Sequence, residues 1–374
     1  VAPMIFSEAF FPAGRRLFWK RQRFPIADAH YAMGFAMLSR VTGDKAHYRR
    51  AVHFLDVLEA TRSPGYERHG WGYPFDWETR NGVMHSGMPL ITSTPYAYEA
   101  FEAVHAIDGE ERWLETMASI AEHAFRDIPD FEVAPGVRTA AYNPEDPRGL
   151  VVNASAYRAL LLMRAAERFG RDDYGETAEG NLRFVLQAQN EDGSWAYALD
   201  GERDFVDHFH TCFVMKALVK IHRQTGDAGC REAIERGVAY YVDHLFDEQG
   251  CPRPFAVAPR LTVYKNELYD YAECVNLCTL LAGEFPRLDE RLGSTLGDFF
   301  ARWIKPDGSF RSRRLMLGWD NVPMHRWAQS QMFRSLAQLA LAGTEPELQP
   351  GPLHAQASDM VGHESLEQPG EGRT

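Results

Sequence analysis

The chain has 374 residues, of which 45% are hydrophobic and 25% charged, with a net charge of −12. These are values of a soluble globular protein, and the acidic balance argues against a nucleic-acid groove, which needs a basic surface. No apolar run approaches 18 residues, so no membrane-spanning helix is expected.

Six apolar helical stretches follow one another along the chain, beginning near Ile26, Thr94, Asn153, Asp207, Glu267 and His325. Their starts are separated by 68, 59, 54, 60 and 58 residues. After each of the first five comes a more charged, amphipathic stretch, at 44–61, 111–128, 172–188, 228–246 and 289–304. Buried and amphipathic helices alternating at a near-constant period mark a helical repeat. Six inner helices predict an all-α, closed (α/α)6 toroid of residues 1–342, with a disordered tail at 343–374. Thr42-Gly43-Asp44 and Thr225-Gly226-Asp227 punctuate inner-to-outer turns, glycine ending one helix and aspartate capping the next. The outer-to-inner connections are long, at 62–93, 129–152, 189–206, 247–266 and 305–324. They are expected together over the N-termini of the inner helices, and loops of this length in a compact domain are commonly functional.

Candidate site residues follow from that placement. The first long loop holds Trp71, Tyr73, Phe75 and Trp77 alternating with smaller or polar residues. This is either a stacking wall for a sugar ring, with Asp76, Glu78 or Arg80 bonding hydroxyls, or an aromatic plug. Asn153 and Tyr157 open the third inner helix, preceded by Tyr142. At the fourth, Asp207, His208 and His210 stand together. Histidines two apart point to opposite sides of a helix, and Asp207 and His210 share a face. Asp207 is suited to N-capping, and the helix dipole favours a neutral histidine base, with His210 first and His208 second. The fifth inner helix offers Tyr269, Asp270 and Glu273, as paired carboxylates or, for Glu273, as an ion pair with an arginine of a neighbouring helix. His325, Arg326 and Gln329 begin the sixth. Arg326 suits a carboxylate or phosphate anchor, or a partner for Glu273. No metal or cofactor site is expected. Gln189 to Trp195 fits Q-x-x-x-G-x-W, a turn motif of α/α toroids, and Lys305 to Phe310 is a degenerate copy.

The five cysteines (Cys212, Cys230, Cys251, Cys274 and Cys278) lack C-x-x-C spacing, which predicts free thiols in a reducing, cytoplasmic compartment. No signal peptide is visible, and an initial Val leaves an upstream targeting segment open.

Trp71 to Trp77, Asn153 to Ser155, Gln189 to Trp195, Asp207 to Thr211 and Arg326 to Gln329, in that order, resemble a bacterial family found with polysaccharide-biosynthesis genes and similar to the Vibrio exopolysaccharide protein VpsJ. The resemblance covers about residues 20–340. It implies an (α/α)6 toroid related to six-hairpin glycosidases and a role in polysaccharide metabolism, without fixing a reaction. The expectation is a glycosidase-like enzyme acting on an oligo- or polysaccharide. The alternatives are a uronate lyase or sugar epimerase, a non-catalytic glycan-binding or assembly protein, and a terpene-cyclase-like enzyme. Glycoside hydrolysis needs two carboxylates across an open cleft, whereas a His–Tyr–Arg cluster without such a pair favours lyase or epimerase chemistry.

Overall fold

The computed structural model describes residues 6–7, 10–14, 20–79 and 82–344. Arg80 and the tail beyond Thr344 lie outside the described residues. Among the described residues eleven α-helices form the body. The inner ones are α1 (Pro25–Thr42), α3 (Thr94–Asp108), α5 (Val152–Phe169), α7 (His208–Thr225), α9 (Leu268–Leu280) and α11 (Ser330–Thr344). The outer ones are α2 (Lys45–Ala60), α4 (Glu111–Arg126), α6 (Asp172–Gln187), α8 (Ala228–His244) and α10 (Pro286–Arg302). Each inner helix packs on the next, and α11 returns to α1, so the ring closes. Among the described residues α11 has no outer partner. Its entry is a π turn at His325–Gln329, where the Ser330 N–H donates to the His325 carbonyl.

Local chemistry sets these boundaries. Gly43 and Gly226 adopt φ of 69° and 73°, a region that costs other residues a Cβ clash, and they terminate α1 and α7. Asp44 and Asp227 then accept the N–H groups of Ala46 and Cys230 at 2.7 Å each, satisfying orphan donors of α2 and α8. The last outer helix starts at Pro286 rather than near 289, because proline fits the first helical turn where no N–H partner is needed. Inner helices are apolar on most faces because they are covered on most faces; in α5, Leu160, Leu161 and Leu162 are all buried.

The long loops are tied into a collar. Trp77–Thr79 (β1) pairs with Gly82–Met84 (β2), and Asp130–Ala134 (β3) with Val137–Ala140 (β4), each antiparallel within one loop. Val206–Asp207 (β5) pairs with Phe255–Val257 (β6) of the next loop. Tyr264–Glu267 (β7), Arg313–Leu315 (β8) and Trp319–Asp320 (β9) make a three-stranded sheet joining the fourth and fifth loops. Val151 bridges to Ala198, and the Ile91 N–H donates to the Tyr142 carbonyl, linking the remaining neighbours.

The glutamine–tryptophan turn is structural, as expected. Gln189 donates to the carbonyls of Gly193 and Ala233, and the buried Trp195 indole donates to the Val185 carbonyl at the end of α6. Gly193 has φ of 92°, and a Cβ there would stand 2.4 Å from the Arg236 carbonyl. The same bridge recurs as Ile304 to Phe310 and, unannounced by any tryptophan, as Phe246 to Pro252.

Candidate active site at the mouth of the ring

Strand β5 ends at Asp207, whose extended backbone makes it the N-cap of α7. One carboxylate oxygen accepts the His210 N–H at 2.9 Å, and the other lies 2.7 Å from His210 Nδ1. Asp207 therefore both caps the helix and orients the imidazole. The contact orients the ring with Nδ1–H donating to the carboxylate, which in the neutral imidazole leaves the lone pair on Nε2. The His210 ring packs on Tyr197 and Phe209, at centroid distances of 4.6 and 4.3 Å, and its side chain remains 21% exposed. His208 points the other way, as the two-residue spacing requires. Its Nδ1 meets the Leu245 carbonyl at 3.1 Å and its Nε2 the Tyr241 hydroxyl at 2.6 Å, both in the outer layer. His208 is thus a buried structural histidine, correcting its expected catalytic role.

Across the mouth, the buried Arg326 lays its guanidinium 3.6 Å from the Tyr73 ring centroid. Tyr142 and Tyr269 also stand close enough to act on its charge. Tyr269 stacks on Phe209 at 4.6 Å, and Tyr142 lies beside Tyr197, so the Arg326 and His210 sides share one wall. His325 is exposed, and its Nδ1 meets the Tyr31 hydroxyl at 2.7 Å. Although the residue reaches solvent, partial shielding of its ring lowers the pKa of this histidine, and burial raises that of Tyr31, so the pair is neutral near pH 7. Gln329 is removed from the mouth: its amide both accepts from Phe310 N–H and donates to the Phe310 carbonyl, at 2.9 and 2.8 Å.

Only part of the aromatic loop faces the mouth. Trp71 is 1% exposed and donates to the Leu58 carbonyl at 2.9 Å, capping α2 as Trp195 caps α6. It cannot serve as a stacking wall. Tyr73 packs with Phe75 and Trp77, and Trp77 is 38% exposed. Asp76 accepts the Ser86 N–H at 2.8 Å and so braces the β1–β2 hairpin.

Below the rim lies a buried ionic group. Glu273 bonds Lys216 of α7 through one oxygen and Arg334 of α11 through the other. It is ion-paired with neighbouring helices, as one reading of the sequence held, but through Arg334 and Lys216 rather than Arg326. Burial pushes the Lys216 amine down to about 8. Tyr96 and Tyr157 share a 2.5 Å hydrogen bond beside it. Asp270 does not pair with Glu273 but turns toward Glu267 and Asp207. Its carboxyl oxygens are sealed without a hydrogen-bond partner. Burial first, then those two carboxylates, raise its pKa well above the ordinary range. The folded chain therefore holds a proton that the unfolded chain releases above about pH 4, and stability from this group is lost as pH rises. Asp270→Asn, which cannot ionise, is expected to raise the unfolding temperature at pH 7 by about 2 °C or more and to change little near pH 3.5. A loss of equal size at both pH values would contradict this. Asn153 is buried in the first turn of α5, with its side-chain oxygen unpartnered.

His30, Tyr31, Tyr96, Tyr197, Lys216 and Arg334 were not singled out from the sequence. Lys216 was the most legible, a cation inside the run from Thr211 to Ile221. No group of three or more His, Cys, Asp or Glu among the described residues is arranged to hold a metal ion. An open polar cavity of about 480 Å³ lies at the opposite end of the ring, near the C-termini of α5 and α7. Its cations are engaged: Arg164 and Arg168 with Glu102, Lys220 with Glu99, and Arg223 with Glu284. All five cysteines are buried and free. No helix among the described residues is long and apolar enough to cross a membrane.

No model of a protein family matches the chain, and no curated protein does. Solved structures do match over most of its length. An α-1,6-mannanase of Salegentibacter sp. superposes with a TM-score of 0.63 at 12% identity, covering 87% of this chain and 91% of that one. A sugar epimerase from a ruminal bacterium gives 0.63 at 12% identity, covering 91% and 98%. Cellobiose 2-epimerase of Bacillus thermoamylovorans gives 0.64 at 8% identity, covering 86% and 88%. The chain shares the α/α-toroid fold of these proteins. They lend no support to the narrower resemblance to VpsJ.

Proposed function

We propose that this chain is a carbohydrate-active enzyme that moves a proton on a carbon next to a carbonyl, as a sugar epimerase. The observation that carries this reading is a His–Tyr–Arg cluster at the mouth in which none of the three helix-start carboxylates, Asp207, Asp270 and Glu273, is free to act across a cleft. Asp207 is committed to His210, Glu273 to two cations, and Asp270 is sealed. Glycosidase chemistry needs two such groups facing one bond. The mannanase is also known as an inactive variant with two adjacent aspartates replaced. The one Asp-Asp pair in this sequence, Asp172–Asp173, begins outer helix α6.

Each histidine has a defined task in this reading. His210 Nε2, freed by the Nδ1–Asp207 bond, removes the proton. The electron pair of the broken C–H bond moves onto the carbonyl oxygen, where Arg326 stabilises the negative charge. Tyr31 stays protonated and holds His325 through Nδ1; the exposed His325 passes a proton from solvent through Nε2 to the opposite face, and His210 then releases the proton it took to solvent, so both imidazoles end neutral. Substrate and product have the same composition. Arg326 also suits the carboxylate of a uronate, and if a leaving group on the next carbon departed, the same cluster would make a lyase.

The test is a screen of neutral aldoses, disaccharides and uronate oligosaccharides in heavy water. An epimerase yields an isomer one mass unit heavier, with deuterium on the carbon next to the carbonyl. Products that have gained water would overturn the reading in favour of hydrolysis. An unsaturated, ultraviolet-absorbing end would replace it by lysis.

A further inference from the structure

The sheet that joins the fourth and fifth loops ends in an apolar, cationic point. Strand β7 runs into α9 at Glu267, so its other end, at Tyr264, lies away from that helix. There Tyr264 pairs with Leu315, and the chain turns from β8 to β9 through Met316, Leu317 and Gly318. The Leu315 N–H donates to the Gly318 carbonyl at 3.0 Å and closes this turn. So tight a turn leaves its side chains little to pack on: Leu317 is 85% exposed, and Met316 is exposed beside it. The Met316 N–H donates to the Val263 carbonyl at 3.2 Å, which sets the tip of the β6–β7 loop next to the turn. That tip adds Leu261, 94% exposed, and the exposed Val263. Single exposed apolar residues are ordinary, but four aliphatic side chains on two adjoining tips make a patch.

The charge around these tips is opposite in sign to that of the molecule. Residues 253–266 and 311–319 contain six Lys or Arg and no Asp or Glu, in a chain of net charge −12. The flanking carboxylates, Glu267 and Asp320, are buried, and Glu267 is bonded by Arg313. Arg260 and Lys265 are exposed and Arg314 is half-buried. None of these three forms an ion pair with a carboxylate among the described residues.

The combination selects an occupant. Cations alone would suit any polyanion, but aliphatic side chains standing in water gain only where an apolar phase receives them. A soluble polyanion offers no such phase. A standard protein interface engages about 20–30 residues a side, whereas here two narrow tips project a handful. An anionic bilayer supplies both needs, with headgroup phosphates at its surface and acyl chains just beneath.

We propose that the tips of the β6–β7 loop and the β8–β9 turn dock the protein on an anionic lipid surface. Leu261, Val263, Met316 and Leu317 enter the interface, and Arg260, Lys265 and Arg314 meet the headgroups. Docking of this kind does not depend on which reaction the mouth performs.

The test is co-sedimentation of the full chain with vesicles of phosphatidylcholine and of an equal mixture of phosphatidylcholine and phosphatidylglycerol. Binding to the mixed vesicles is expected to exceed binding to phosphatidylcholine by about tenfold or more and to weaken as salt is added. Leu261→Ser with Leu317→Ser, and separately Arg260→Gln with Lys265→Gln and Arg314→Gln, are each expected to weaken it by about tenfold or more. Substitutions at exposed sites should leave the unfolding temperature unchanged. If the triple variant is less stable because Arg314 is half-buried, Arg260→Gln with Lys265→Gln decides the matter. No binding to either vesicle, or equal binding by native and variant chains, would overturn the proposal. So would loss in the charge variant alone with equal capture of the native chain by dextran sulfate, which would assign the tips to a soluble polyanion. A dimer that the leucine variant abolishes in ultracentrifugation, without vesicle binding, would show a contact between two copies instead.

Discussion

Replacing His210 by alanine is expected to lower turnover by about 10²–10⁴-fold, the range over which a positioned general base contributes. The helical circular dichroism should not change, because the Asp207 cap on α7 is retained through the His210 backbone N–H. Asp207→Asn separates capping from orientation. Asparagine caps a helix about as well as aspartate. It loses the negative charge that orients the imidazole, and a loss of turnover on the order of 10³-fold or more is expected with the fold intact. The measurement is the rate of deuterium exchange into substrate, beside far-ultraviolet dichroism and an unfolding curve. Full exchange in either variant would remove this pair from the chemistry. A variant that loses activity only because α7 unravels would reveal itself in the dichroism.

The second large effect concerns stability. Glu273→Leu is expected to destabilise the chain by about 3–5 kcal/mol, because Lys216 and Arg334 would be left as buried, uncompensated cations. The burial that holds the Lys216 amine down to about 8 marks how poorly this place tolerates charge. Adding Lys216→Met should recover part of the loss, since an apolar side chain of similar length needs no partner. Urea unfolding of the native, single and double variants reads both effects. An unchanged midpoint for Glu273→Leu would mean that the ionic group contributes nothing to the ring and that the desolvation argument fails.

The ring was legible because its causes are local and repeated. Apolar period and Thr-Gly-Asp turns act through neighbouring residues, so a chain read in one dimension carries them. The site was legible along each helix and obscure between helices. His208 and His210 were correctly set on opposite faces, since that depends on helical geometry alone. Which of them looks into the mouth depends on Leu245 and Tyr241, tens of residues away. Glu273 was read as seeking an arginine, but Arg326 and Arg334 stand two turns apart on the same segment, and only packing selects between them. Trp71 and Trp77 are equivalent in sequence; a free carbonyl at the end of α2 takes one and leaves the other at the surface. Gln329 is drawn off by the Phe310 backbone in the same way.

Closure of the ring changes what a cut at the chain's end would do. A row of stacked repeats can shed its last member and remain folded, because only one interface is lost. Here α11 is wedged between α1 and α9. Its removal would bare apolar flanks on both, strip Arg334 from Glu273 and open the vestibule sideways to water. Truncation into α11 is therefore a global event, and the ring cannot shed this member as an open row would.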